Sequence, residues 1–360
     1  MREFPSFLRR DPAGFQKALH QRIEDYFQNV NVTPNANPQL KWKALVLFTL
    51  YFVPFALLFI SGLNWILFFS IWALMGLAMA GIGMNVMHDA IHGSWSQKSW
   101  VNKFFGGSIY LLCGHPLTWK VQHNFLHHQY TNLAGLDEDV EVRGLIRLHR
   151  EDPLRPMHKH QHWYAPFFYS LLTLNWALTK DFTQMYRYGK TGLLKRFKTN
   201  ERSAWLSLIL GKTIYFGIFL VLPLVYAPYA SWWIVLGWIL MHVIAGQVLS
   251  LVFQLAHIVS STDQPSWEGK QVEAVWMEHQ MRTTCNFSRK SAFVTWYTGG
   301  LNYQIEHHLF PNISHAHYPK IAPLVKQSAL EFGVPYNEKE HFLEALIDHF
   351  RTLKQLGHVA

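Results

Sequence analysis

The stretch WILFFSIWALMGLAMAGIGMNVMHDAIH, residues 65–92, carries an apolar run straight into a histidine pair. Trp65 to Met87 holds no charged residue. At about 1.5 Å per helical residue it is long enough to cross the ~30 Å hydrocarbon core of a bilayer. Its last turns change character, with Asn85, His88, Asp89 and His92 gathered there. His88 and His92 stand one helical turn apart on one face. The stretch predicts a membrane helix over 65–87 with a polar site at its mouth.

Working outward, the chain from Lys43 to Lys98 has no lysine or arginine between its ends, and neither has the chain from Lys212 to Lys270. Each gap has room for two spans of ~20 residues and a turn. Spans are expected over 44–60, 65–87, 205–226 and 231–256, as two hairpins closed by the uncharged turns Ser61–Asn64 and Ala227–Ala230. Pro54 is tolerable inside a membrane helix. Lys212 is expected to snorkel to the headgroups. Mean hydropathy is only +0.02, so the remainder, 88–204 and 257–360, is expected outside the bilayer. The fold class is an all-α membrane protein with a helical cap. The net charge of +9 fits basic flanks on the cytoplasmic side of membrane hairpins, so no nucleic-acid partner is expected. Cys113 and Cys285 make no disulfide framework and fit a reducing compartment. No signal peptide is expected before the first apolar run.

Residues 1–40 form a leader. Asp11 reads as an N-cap with Pro12 at the first helical position. Phe15, Leu19, Ile23, Phe27 and Val30 follow at helical spacing, an amphipathic helix for the membrane surface or for a later part of the chain. Residues 33–38 are a breaker stretch. Residues 41–360 read as one membrane domain. Within it Val101 to Cys113 and Trp163 to Leu178 are apolar but too short to span. Between them lie an acidic run (Asp137, Glu138, Asp139, Glu141) and a wet, basic loop with His149, His158, His160 and His162. Pro319 to Phe332 is expected to be helical, and Asn337 with Glu340 looks like a capping box.

The histidines carry the chemistry. His123-Asn124-Phe125-Leu126-His127-His128 places His123 and His127 on one helical face and His128 about 100° round from it. The segment can thus serve two metal ions or two sides of one site. Gln304-Ile305-Glu306-His307-His308 adds two more. Gln247, Ser250, Gln254 and His257 form a polar stripe on the fourth span, read as packing apart from the histidine that ends it. Eight histidines (88, 92, 123, 127, 128, 257, 307, 308) exceed the four of a structural zinc site and suit two ions with open positions. Imidazole suits iron, zinc, copper or nickel, so the ligands alone leave the metal open. His242 lies about 22 Å before His257 along a helix and is expected to satisfy a hydrogen bond in the bundle. His115, His315 and His317 lack the box spacing. Glu338 with His341 is read as a chance match to a di-iron motif.

HDAIH, HNFLHH and QIEHH, with two hydrophobic hairpins between them, resemble the boxes of the membrane fatty acid desaturases. The third box beginning with Gln304 is similar to the front-end (Δ5/Δ6-type) branch, and HQMRTTCNF (279–287) and GGLNYQIEHHLFPNISHAHYP (299–319) are similar to its bacterial members. The likeness runs from about Phe15 to the last helix. It implies two iron ions held by the eight histidines, with Gln304 as a weaker ligand or a group bonded to one. It also implies removal of two hydrogens from an acyl chain with molecular oxygen, the chain carried on CoA, carrier protein or phospholipid. No cytochrome b5-like domain is expected before the first span, so the donor would be a separate protein such as ferredoxin or cytochrome b5. The resemblance places the protein in a bacterial inner membrane, with site and termini cytoplasmic. Hydroxylases and ketolases share the boxes. A histidine-rich metal transporter would instead place ligands near the bilayer midplane, whereas these lie at helix ends.

Overall fold

A computed structural model of the chain describes residues 4–9, 11, 13–141, 144–267 and 271–358. Strand β1 (Ser6–Phe7) precedes helix α1 (Phe15–Val30). The helix starts later than the Asp11 cap predicts: Gly14 is the N-cap, and the Asp11 carboxylate accepts from the backbone N–H of Gly14 and Gln16. Pro12 lies outside the described residues. Phe15, Leu19 and Ile23 are buried against a late helix, so α1 rests on the cap.

The four spans are α2 (Pro38–Leu57), α3 (Trp65–His92), α8 (Glu201–Tyr226) and α9 (Ser231–His257). Helix α2 begins six residues before the expected Ala44, because Asn37 caps it and Pro38 supplies the first-turn geometry. Helix α3 runs on to His92, past the expected end at Met87, through a π-turn at Gly83–Met87. Such i→i+5 turns recur at functional sites. Helix α8 starts at Glu201, where Asn200 caps it. Outward faces stay apolar: Leu45, Ile66, Leu206 and Val225 are exposed, as lipid contact requires.

The central pair is α3 with α9, while α2 packs on the other side of α3. Glycine lets the two backbones close up. A Cβ on Gly76 would lie 2.6 Å from the Met241 carbonyl oxygen, and one on Gly237 only 2.2 Å from the Trp72 ring. Small residues serve this purpose in membrane bundles. Trp72, Met75, Met79, Met241 and Ala245 fill the seam.

Between the second and third spans lie α4 (Ser99–Gly106), α5 over residues 116–127, α6 (Gln161–Ser170) and α7 (Asp181–Thr191). Neither apolar stretch spans, as expected. After α9 come strand β2 (Gln271–Val272), α10 (Trp276–Thr283), strand β3 (Asn286–Phe287), α11 (Ala292–Tyr297), α12 (Gln304–Leu309), α13 (Tyr318–Phe332), strand β4 (Glu338–Lys339) and α14 (Phe342–Leu356). The parallel pairs β1–β2 and β3–β4 tie distant segments of the cap together. The expected Asn337–Glu340 box does not form. Asn337 donates instead to the carbonyls of Met281 and Thr284, and the helix-starting box is His341 with Glu344.

Lys212 does not snorkel. It is buried against Asp181, 2.7 Å from Oδ2, and donates to the carbonyls of Trp176 and Cys113. A carboxylate inside the bundle holds it better than distant headgroups would.

Candidate metal centre

Three helix ends and one short helix converge beneath the spans. Helix α3 delivers His88 and His92, α9 delivers His257, α5 carries His123 and His127 with His128 at its C-cap, and α12 carries His307 and His308. Gly299 brings the third box up to the first. Its φ of +65° turns the chain, and a Cβ there would lie 2.4 Å from the Met84 carbonyl oxygen. Asn286 accepts from Ile305 N–H and donates to Glu306, whose other oxygen takes the Tyr336 hydroxyl. Box three is thereby pinned from behind.

The second box is not α-helical. Lys120–His127 is a π-helix. The wider turn brings His123 and His128, five residues apart, to 3.3 Å between their Nε2 atoms, while the His123 and His127 rings stack at 5.2 Å. The His88 Nε2 also lies 3.3 Å from that of His123. The His123 Nε2 thus meets two other imidazole nitrogens.

Two groups emerge. Ligand atoms of His88, His92, His123 and His307 lie within 4.8 Å of one another, as do those of His127, His257 and His308. His128 joins His307 and His308 in a third such set and so stands between the two. All eight histidines of the sequence reading therefore come together.

Five of the outer nitrogens are held from behind. His123 Nδ1 lies 2.8 Å from Asp139 Oδ2, and His127 Nδ1 3.0 Å from both oxygens of Asp137. His307 Nδ1 meets the Tyr318 hydroxyl, His308 Nδ1 meets Gln280 Oε1, and His257 Nδ1 faces the Thr283 carbonyl. The inner Nε2 atoms of His92, His127, His257, His307 and His308 are buried without a hydrogen-bond partner among the described residues. Leaving a buried polar atom bare costs about 1–3 kcal/mol. Bare nitrogens gathered in these two groups suit bound cations, and the donor set fits a transition metal.

Burial, reinforced by neighbouring imidazoles, pulls His123, His128, His307 and His308 well below the ordinary histidine range, so they are neutral at pH 7. Burial would also lower His127, but the Asp137 carboxylate beside it, with Asp139, raises it. Asp137 and Asp139 carry no metal-box spacing and were legible in the sequence only as part of an acidic run. Gln280 and Tyr318 gave no signal there.

A cavity of about 540 Å³ opens onto the cluster, touching His88, His123, His307 and Gln304. Gln304 is buried with Oε1 unpartnered. The polar lining comes from two neighbouring segments, Glu138–Glu141 and the start of α7, joined by bonds from Arg187 and Gln184 to Glu138. The apolar lining comes from the end of α3, from Leu112, from α6 and from α9, with Met84, Phe168, Leu249 and Phe253 among it. Ser250 and Gln254 border this cavity, the second reading the sequence allows for the stripe beside packing. Lys180 lines the polar side. Burial lowers its ammonium below the ordinary lysine value, with Asp139 and Asp181 opposing.

The remaining histidines are used elsewhere. His242 bonds the Tyr215 hydroxyl at 2.7 Å and Thr173, as expected. His115 bonds Ser207, His317 the Asn35 carbonyl, and His315 lies 3.0 Å from Asp89. His149 and His158 are buried rather than wet. His158 closes a turn between Arg155 N–H and the Gly144 carbonyl.

Known proteins resemble this chain over most of its length. The chain is 30% identical over 353 residues to the sn-1 linoleoyl-lipid 6-desaturase of Arthrospira platensis, covering 96% of this chain and 93% of that one. It is 29% identical to the enzyme of the same name from Synechocystis sp., over 96% of each chain. It is 34% identical to the acyl-lipid (8-3)-desaturase of Physcomitrium patens, over 95% of this chain and 72% of the relative. The fatty acid desaturase profile matches residues 63–340. With four membrane-spanning helices and this histidine constellation, the chain belongs to the fatty acid desaturase family.

Proposed function

We propose that the chain is a di-iron, oxygen-dependent acyl-lipid desaturase that inserts a cis double bond near the carboxyl end, as a linoleoyl-type Δ6 or similar front-end enzyme. One observation carries the front-end reading. The histidine cluster adjoins the polar end of the cavity through the His123–Asp139 contact, while the span walls are mainly apolar, with Met84, Met87, Leu249, Val252 and Phe253 beside Ser250 and Gln254. A chain lying with its tail among those walls and its carboxyl end among the polar groups presents early methylenes to the cluster. The names of the relatives point the same way.

One ion would be held by His88, His92, His123 and His307, the other by His127, His257 and His308, with His128 between them. The ions supply the oxygen-activating chemistry that breaking unactivated C–H bonds demands. The protein does the rest. Asp139 and Asp137 fix the rings of His123 and His127 with Nε2 turned inward. Met84, Leu112 and Phe253 exclude water and hold the chain. In balance, dioxygen becomes two waters, taking two hydrogens from the substrate and two electrons and two protons from outside. The electrons come from a separate donor, ferredoxin or cytochrome b5. Residues 41–360 form the desaturase domain and 1–40 its docked leader. The enzyme sits in the bacterial inner membrane with cap and termini in the cytoplasm.

The test is gas chromatography–mass spectrometry of lipids from a host fed linoleate. Wild type should yield a triene with the new bond between the carboxyl group and the existing ones, and His127→Ala none. A hydroxylated product would move the protein to the hydroxylases, and an unchanged product in His127→Ala would overturn the site.

A further inference from the structure

We propose that Lys180 anchors the carboxyl end of the substrate, its ammonium donating to the ester carbonyl oxygen of a glycerolipid-held acyl chain and so fixing which methylenes reach the histidines. This rests on the acyl-lipid reading above.

Lys180 closes the π-turn Trp176–Lys180 and lines the cavity on its polar side, its ammonium 5.1 Å from the centre of the Trp176 ring. The carboxylates around it are already engaged. Asp181 takes Lys212, Thr118 and the Trp176 indole. Glu138 takes Arg187 and Tyr188. Asp139 takes His123 and Gln122. Among the described residues no carboxylate lies within ion-pair distance of the Lys180 ammonium. Asn175 and Thr179, the neighbouring lining groups, bond each other. The polar side therefore presents one cation that has, among the described residues, the Trp176 ring beside it and no carboxylate in contact.

The chemistry at that point suits a neutral acceptor. Glu138 and Asp139 stand nearby, so a second full anion would meet repulsion, whereas a carbonyl oxygen accepts from the ammonium without it. Asp139 links the same wall to His123. An oxygen held by Lys180 thus lies a fixed, short stretch of chain from the cluster. Lys180 is a positioning residue, and its removal should blur the counting rather than empty the metal site.

The first measurement uses full-length Lys180→Met, which keeps the stem over Trp176, and Lys180→Arg. Lys180→Met should retain wild-type iron, lose about 10- to 100-fold in conversion, the worth of one hydrogen bond to a charged group, and spread the double bond over adjacent positions. Lys180→Arg should restore a single position. Lys180→Met with unaltered position, or with lost iron, would overturn the proposal. The second measurement needs no turnover. Purified protein is treated with acetic anhydride alone, with linoleoyl lysophosphatidylglycerol, or with its ether analogue lacking the carbonyl. Lys180 should be protected relative to the exposed Lys290 by the ester lipid only. Protection by both lipids would assign the site to phosphate, and protection by neither would refute it. Protection by the ester lipid in an enzyme that makes no triene would leave Lys180 standing and sink the desaturation reading.

Discussion

The histidine cluster and the Asp181–Lys212 knot inside the bundle are both buried, both polar and both built from distant segments. They differ in what is left over. In the knot, Asp181 receives Lys212, Thr118 and Trp176, and Lys212 also reaches two backbone carbonyls. In the cluster His123, His127 and His308 are bonded through their outer nitrogens, and the inner nitrogens of His92, His127, His257, His307 and His308 are bare. A polar group that closes its own bonds is holding helices together. One that is oriented from behind and left open in front is waiting for something else. His242, satisfied by Tyr215 and Thr173, belongs to the first kind despite being a histidine in a membrane helix.

That distinction can be broken most directly at an inner nitrogen. His307→Asn, whose side chain can still meet the Tyr318 hydroxyl, should abolish desaturation and lower the iron content of purified protein while the melting temperature of metal-free protein changes little, because the inner nitrogen it removes was bare. A large fall in the metal-free melting temperature would make the cluster structural. The knot should respond the other way round. Lys212→Met strands the Asp181 carboxylate and should cost about 3–5 kcal/mol, whereas the double change Lys212→Met with Asp181→Leu should recover much of it. Denaturation in detergent reads both.

A third histidine environment sharpens the same contrast. His349 is buried in the cap, bonded to the Tyr169 hydroxyl at 3.0 Å and the Ile258 carbonyl at 2.8 Å, and burial holds it down at about 4. Its folded value lies below the ordinary ~6.5, so the unfolded chain takes up the proton first. Stability should therefore fall as pH drops from about 6.5 toward 4, by up to about 3 kcal/mol. The difference in melting temperature between wild type and His349→Gln across that window measures it. A parallel pair of curves would refute it. Asp137→Asn comes next: it keeps the shape behind His127 but weakens the hold on the ring, and should lower metal affinity by about 10- to 100-fold. Metal titration with a chelator checks this.

Much of this was legible in the sequence because two signals are strong in one dimension. Basic-free apolar runs locate the spans, and histidine spacing locates the boxes. What stayed hidden depends on contacts between distant segments. Lys212 looks like an interfacial lysine until Asp181, thirty-one residues upstream, is seen beside it. Asp137 and Asp139 look like a solvated acidic run until the π-helix turns His127 and His123 toward them. The π-turn itself leaves no mark in composition, so an α-helical wheel separates His123 from His128 where the structure joins them. Lys180 had no motif at all. Its standing comes from the partners its neighbours have already taken.

The smallest expected effect is the most exacting test of the comparison. Tyr215→Phe removes one hydroxyl and leaves the ring in place between Phe219 and His242. His242 Nε2 then becomes a bare buried nitrogen of the kind the cluster holds, but alone, since Thr173 remains on its other side. A single imidazole cannot hold an ion that needs several ligands. The variant should lose about 1 kcal/mol of stability and change neither iron content nor product. Loss of iron or of regiochemistry in Tyr215→Phe, on the scale of Asp137→Asn, would mean that the bundle and the centre are one coupled assembly. The line between closed and open polar sites would then have to be redrawn.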